Sequence, residues 1–143
     1  MDANYKTPPI VLDTNVLVAG ACRREGSRAY QVLLGVLRDE IPLLLTPSIV
    51  FEYQDVKQRP GVLELTGLSH GQTVELITDL IVRSRKVQTL FAWRPNLADE
   101  SDNKFVEAAL RGAAIILTYN ISDYVRTDLK RHGWTAMTPS EFV

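Results

Sequence analysis

The stretch Pro9-Ile10-Val11-Leu12-Asp13-Thr14-Asn15 decides how the rest of the chain is read. Its apolar run is short and β-branched, with no polar residue in alternation, so residues 9–13 read as a strand covered on both faces. Strands of that kind belong to parallel sheets, whose crossover helices lie on either side. The run ends on Asp13. Burying a carboxylate beside an apolar strand is costly unless hydrogen bonds or a cation compensate it.

Outward from this strand the pattern repeats. Residues 42–46 and 114–118 read as further buried strands, 87–91 as a weaker one and 135–138 as a short last one. Between them, 27–39 carries Ala29, Val32, Leu33, Val36 and Leu37 at three- and four-residue spacing, the pattern of an amphipathic helix. Thr46-Pro47 opens another helix, with Thr as N-cap and Pro where no intrahelical amide bond is lost, and Arg59-Pro60-Gly61 stops it. Helices follow over 69–85, with Val74, Ile77, Leu80 and Ile81 inward, over 101–111, and over 123–131. Arg83, Arg85 and Lys86 read as the charged end of the 69–85 helix. This alternation predicts an α/β fold of three layers, α/β/α, around a central parallel sheet of Rossmann-like type. No repeat, linker or low-complexity tract interrupts it, so residues 1–143 are expected to form one domain.

Composition narrows the function classes. Apolar residues make up 45% and charged residues 23%, the balance of a folded soluble protein. No apolar run reaches the roughly 18–20 residues of a membrane span. The opening Met1-Asp2-Ala3-Asn4-Tyr5-Lys6 lacks the apolar core of a signal peptide, and Cys22 is the single cysteine, so a reducing, cytoplasmic setting is expected. Sixteen basic against seventeen acidic residues leave a net charge of −1, which does not by itself advertise phosphate binding. A phosphate-handling site would need local cations or bound metal.

Four acids fall where a ligand site is expected in such a sheet, beyond the carboxyl ends of the strands. Asp13 ends the first strand; its alternative reading is a helix N-cap. Glu52 lies between Ile49 and Val56 on the apolar stripe of its helix, a break in the binary pattern. Asp102 opens the helix whose inward stripe is Phe105, Val106, Ala109 and Leu110, and Asp99, three residues earlier, reads more simply as a cap. Asp123 follows the strand Ile115-Ile116-Leu117-Thr118 and would lie beyond the same sheet edge as Asp13 if those two strands are neighbours; its alternative reading is a turn former. Clustered carboxylates repel: at ~4–6 Å and an effective dielectric near 20, each like pair costs about 3–4 kcal/mol. Protons or cations must neutralise such a cluster, and an all-oxygen donor set suits Mg²⁺ or Mn²⁺. His70 and His132 form no HExxH pattern, and GxSxG, GxGxxG and phosphate-binding GKS or GKT loops are absent.

Leu12-Asp13-Thr14-Asn15-Val16-Leu17 resembles the opening strand motif of PIN-domain nucleases. The likeness continues through Pro47-Ser48-Ile49-Val50-Phe51-Glu52-Tyr53, through Asp99-Glu100-Ser101-Asp102-Asn103-Lys104-Phe105-Val106-Glu107-Ala108-Ala109 and through Leu117-Thr118-Tyr119-Asn120-Ile121-Ser122-Asp123-Tyr124. Met137-Thr138-Pro139-Ser140-Glu141-Phe142 resembles the family's last strand and terminal helix. The nearest subgroup is the toxin half of bacterial toxin–antitoxin pairs. The resemblance implies a PIN-like fold and a metal-dependent endoribonuclease with catalytic acids Asp13, Glu52, Asp102 and Asp123. Asp13, Asp102 and Asp123 would hold one or two Mg²⁺ or Mn²⁺ ions. Glu52 would act as a ligand or water-orienting base, and Asp99 as an outer contributor. Thr14, Asn15, Thr118 and Asn120 fall on supporting positions. Two departures stand out. The subgroup's Asp-Pro-Asp-Asp-Asn run is Asp99-Glu100-Ser101-Asp102-Asn103 here, and Asn120 stands where many relatives carry Asp.

Positive charge for an RNA substrate is expected from Arg23, Arg24, Arg28 and Lys104, with Lys57, Arg59 and Arg94 as further flanking cations. Tyr53, Tyr119 and Tyr124 are candidates either for stacking on unpaired bases or for packing. A cognate antitoxin protein and a homodimer are the partners that the resemblance implies. Two rival classes remain: a non-catalytic PIN-like module that binds RNA or a protein, and an α/β phosphotransfer domain. Against the second, a haloacid-type domain would want Asp-x-Asp where Asp13-Thr14-Asn15 stands.

Overall fold

In the computed structural model of this chain, residues 7–56, 58–86, 103–124 and 135–143 are described. The first strand, β1 (Ile10–Leu12), is buried throughout. Asp13 stands at its end in extended geometry as the N-cap of α1 (Thr14–Ala21). The N-cap reading of Asp13 allows that helix, but its own residues do not announce it, because Thr14, Val16, Val18 and Gly20 are weak helix formers. Packing supplies what propensity lacks: a Cβ on Gly20 would sit 3.0 Å from the Ala29 carbonyl oxygen, so α1 lies hard against α2 (Arg28–Leu37). Ser27 caps α2 through the Tyr30 amide at 3.2 Å.

The chain then enters β2 (Leu44–Leu45) and α3 (Pro47–Val56), whose N-cap Thr46 accepts the Ile49 amide at 3.3 Å. Pro60 does more than stop α3. It opens a separate helix, α4 (Pro60–Thr66), which closes on Gly67 in the left-handed region. Both observations suit proline, which cannot continue a helix yet fits its first turn. Next, α5 (His70–Arg83) begins with a capping box between Ser69 and Gln72. Arg85 and Lys86, expected as part of a helix end, instead form β3 (Arg85–Lys86), because the Ser84 backbone has already turned extended. Charged residues suit an edge strand, where they discourage pairing with another chain. The expected strand over 87–91 lies outside the described residues, as does nearly all of the helix over 123–131.

The second half comprises α6 (Asn103–Gly112), β4 (Ile115–Leu117), a 3₁₀ turn (Ile121–Asp123), β5 (Thr135–Met137) and α7 (Pro139–Phe142). Pairing is parallel throughout: β1 with β4, Leu12 facing Leu117; β4 with β5; and β2 with β3. Among the described residues an isolated bridge, Ile10 to Leu43, joins the two ladders. The spatial order is therefore β3-β2-β1-β4-β5. The chain works outward from β1 and later returns to its other side, which makes the β1/β4 boundary a topological switch point. Helices flank the sheet in a three-layer α/β/α arrangement, with α6 against β1, β2 and β4. Leu43, Leu44, Leu45, Ile116 and Leu117 form the buried centre. Among the described residues, no helix is long and apolar enough to cross a membrane.

One local strain is testable. Past the end of α6, Ala113 sits at φ 52°, and the Ala114 amide reaches back to the Ala109 carbonyl at 2.9 Å. This is a Schellman closure, which glycine fits without a Cβ clash. Ala113→Gly is expected to raise stability by about 1 kcal/mol, read from the urea midpoint at unchanged slope.

Candidate metal and phosphate site at the sheet edge

Asp13 is 5% exposed and sits at the switch point with neutral partners among the described residues. Its Oδ1 accepts the Thr14 amide at 2.7 Å. Its Oδ2 accepts the Thr118 hydroxyl at 2.8 Å, the Tyr124 hydroxyl at 3.2 Å and the Asn15 amide at 3.3 Å. Burial pushes the Asp13 carboxyl above its usual range. The bonds from Thr118, Thr14 and Tyr124 pull it back, and the Glu52 charge adds a smaller upward push. Parallel pairing of β1 with β4 is what carries Thr118 to Asp13 across 105 residues of sequence.

The same two strand ends hold the supporting residues. Thr118 is fully buried, and its hydroxyl oxygen accepts the Asn120 amide at 3.0 Å. The Asn15 side-chain oxygen accepts the Tyr119 amide at 3.1 Å, which ties the start of α1 to the loop after β4. Glu52 approaches from α3. One of its carboxylate oxygens accepts the Thr14 hydroxyl, and the other pairs with Lys104 Nζ at 2.9 Å. Both side chains of that pair are about one-fifth exposed, at 19% for Glu52 and 20% for Lys104.

Asp99 and Asp102 lie outside the described residues. Asp123 closes the 3₁₀ turn just beyond β4, on the same sheet edge as Asp13. Among the described residues, no group of three or more His, Cys, Asp or Glu side chains converges. What is described still fits a hard divalent cation. Asp13, Glu52, Thr14, Thr118 and Asn15 offer oxygen donors, and among the described residues the buried Asp13 charge meets only neutral donors. Mg²⁺ and Mn²⁺ favour such donors, whereas thiolate-loving ions do not.

An open groove of about 970 Å³ leads away from these carboxylates. Asp13, Thr14, Asn15 and Glu52 lie at one end, Val18, Ala19 and Leu65 give it an apolar wall, and Arg24, Arg59, Tyr119 and Asn120 also line it. Of the expected cations, Arg24 is in the lining. Arg23 instead donates to the Ala21 and Thr66 carbonyls, both at 3.3 Å, and Arg28 donates to Gln31 at 3.1 Å. Arg59 reaches the groove while paired with Asp55 at 2.9 Å. Lys57 and Arg94 lie outside the described residues. Of the three tyrosines considered for base stacking, Tyr53 and Tyr124 are buried and serve as core, while Tyr119 is 48% exposed at the groove. Burial also raises the Tyr53 hydroxyl pKa well above normal, and that hydroxyl donates to the Leu12 carbonyl at 2.6 Å. The Tyr124 hydroxyl on Asp13 escaped the sequence reading. Nothing in a Tyr beside an Asp separates a donor to a distant strand end from a packed ring.

A profile of the family described as PIN domain matches residues 9–122. No curated protein matches the chain. PIN domains are commonly nucleases and generally use divalent metals, and membership suggests RNA binding. The match takes in the strand that ends on Asp13, the helix that carries Glu52 and the loop after Thr118, and it places this chain in the PIN-domain family.

Proposed function

We propose that this chain is a divalent-metal-dependent endoribonuclease, the toxin half of a toxin–antitoxin pair. The observation that carries the reading is Asp13: a buried carboxylate at the switch point, surrounded by neutral donors, with Glu52 beside it and a long groove in front. Asp13, Asp102 and Asp123 would hold one or two Mg²⁺ or Mn²⁺ ions, and Asp99 would contribute from outside. A divalent ion held there would supply activation of water and stabilisation of charge on the leaving oxygen. The protein's part is placement. Thr118, Asn15 and Thr14 orient Asp13, Asn120 braces Thr118, and Glu52, fixed by Thr14 and Lys104, orients the attacking water. Arg24 supplies positive charge along the groove, and Tyr119 offers a face to an unpaired base. Arg23 and Arg28 act on the chain's own backbone and side chains first. An antitoxin protein and a second copy of the chain complete the proposed cytoplasmic assembly.

The test is cleavage of a labelled single-stranded RNA pool with Mg²⁺, with Mn²⁺ and with EDTA. Metal-dependent cutting supports the reading. A folded protein that binds metal and cuts nothing overturns it in favour of a binding module. In the same preparations, metal at about 100 times its dissociation constant should add about 2.7 kcal/mol to stability, visible as a melting temperature several degrees higher. Induced expression in a bacterium should arrest growth for the wild type and not for an Asp13→Asn variant; growth arrest by both would remove the toxin assignment.

A further inference from the structure

The two oxygens of Asp13 are not held alike. Among the described residues Oδ1 receives one donor, the Thr14 amide at 2.7 Å, while Oδ2 receives the hydroxyls of Thr118 at 2.8 Å and Tyr124 at 3.2 Å. A carboxylate oxygen carries two lone pairs, so two O–H donors fill Oδ2. The Asn15 amide, split between Oδ2 at 3.3 Å and Thr118 Oγ1 at 3.5 Å, adds a weaker contact on the same side. Thr118 is fully buried and Tyr124 is 2% exposed, so water does not compete for either hydroxyl. Tyr124 also follows the 3₁₀ turn that contains Asp123, and its amide bonds the Ile121 carbonyl at 2.9 Å. Tyr124 thus fills an oxygen at the end of β1 with its hydroxyl while its backbone amide closes the turn beyond β4.

We infer that Tyr124 is a positioning residue that sets which cation the site accepts. With Thr118 it commits Oδ2, leaves Oδ1 as the single open oxygen of Asp13, and so enforces one-oxygen coordination. The inference rests on the metal-dependent reading above. Cation size follows from the coordination chemistry. Ca²⁺ takes six to eight oxygens at roughly 2.3–2.6 Å and readily uses both oxygens of one carboxylate, whereas Mg²⁺ demands a compact octahedron at about 2.0–2.1 Å. A carboxylate that can present only one oxygen disfavours the larger ion. Removing the Tyr124 hydroxyl frees a lone pair on Oδ2 and makes two-oxygen coordination available.

The experiment is calorimetric titration of the full chain with Mn²⁺ and, separately, with Ca²⁺, in the absence of RNA. Tyr124→Phe keeps the ring and deletes the hydroxyl. It is expected to lower the preference for Mn²⁺ over Ca²⁺ by about 10-fold, the scale on which groups behind metal ligands act. Thr118→Val is expected to move the preference in the same direction and carries the test if Tyr124→Phe does not fold. Tyr53→Phe is the control: it deletes another buried hydroxyl, one bonded to the Leu12 carbonyl and not to the carboxylate. It should cost stability and leave the preference unchanged. An unchanged preference in both Tyr124→Phe and Thr118→Val, or an equal shift in Tyr53→Phe, overturns the inference alone. A wild type that binds neither ion and cuts no RNA overturns the nuclease reading and this inference together.

Discussion

Asp13→Asn yields a folded protein whose metal-dependent RNA cleavage is lower by more than about 100-fold, beyond the loss typical of groups that only orient a ligand. Asn matches Asp in size and caps helices equally well, so α1 keeps its start. What goes is the charge that a divalent ion needs. The measurement is kcat/KM on a labelled RNA, with circular dichroism to confirm the fold. Activity within a few-fold of wild type would mean that Asp13 is only the cap of α1.

The same substitution separates charge from structure through pH. The native Asp13 carboxyl is raised above its ordinary value, first by burial. A raised acid binds its proton more tightly when folded than when unfolded. Its unfavourable contribution is therefore absent below the unfolded value of about 3.9 and develops as pH rises through the higher folded value. In EDTA the melting temperature of Asp13→Asn relative to wild type should be highest near neutral pH and should fall as pH approaches 4. Calorimetry of both proteins across that range reads the difference directly. A gap that does not move with pH would show that the buried charge carries no cost.

How far the sequence revealed this site depended on the range of each interaction. The strand that ends on Asp13, the parallel sheet and the cap at Thr46 follow from local pattern, because burial on both faces and capping geometry leave marks within a few residues. Glu52 stood out for the same reason, as an acid on an apolar stripe. Helix α1 left only the cap signal of Asp13, because its stability comes from α2, through the close approach at Gly20, and not from Val16, Val18 or Gly20 themselves. Pro60 was read as a stop, although proline ends one helix and begins the next with equal ease. Pairing of the Lys104 ammonium with Glu52, and of the Tyr124 hydroxyl with Asp13, spans 52 and 111 residues of sequence. No periodicity encodes such contacts; the first exists only once α3 and α6 pack together, the second only once β1 and β4 are neighbours.

Thr118→Val is expected to destabilise the metal-free protein by about 2–3 kcal/mol and to lower cleavage by roughly 10–100-fold. The two side chains are nearly the same shape, and valine suits the end of a buried strand, so packing should survive. The loss lies in the hydroxyl. It donates to the Asp13 carboxylate at 2.8 Å and accepts the Asn120 amide at 3.0 Å, so its removal deprives a buried charge of a donor and an amide of its acceptor. Hydrogen bonds to charged groups contribute about 1.5–3 kcal/mol, against about 1 kcal/mol for neutral pairs. Part of the cost therefore depends on the charge of Asp13, and that part should disappear when the charge does. In an Asp13→Asn background Thr118→Val should cost visibly less, which a double-mutant cycle of urea unfolding in EDTA would record as a coupling near 1 kcal/mol or above. Strict additivity would instead assign the whole effect to Asn120 and the loop after β4, leaving Thr118 as a brace for that loop and not as a partner of the carboxylate.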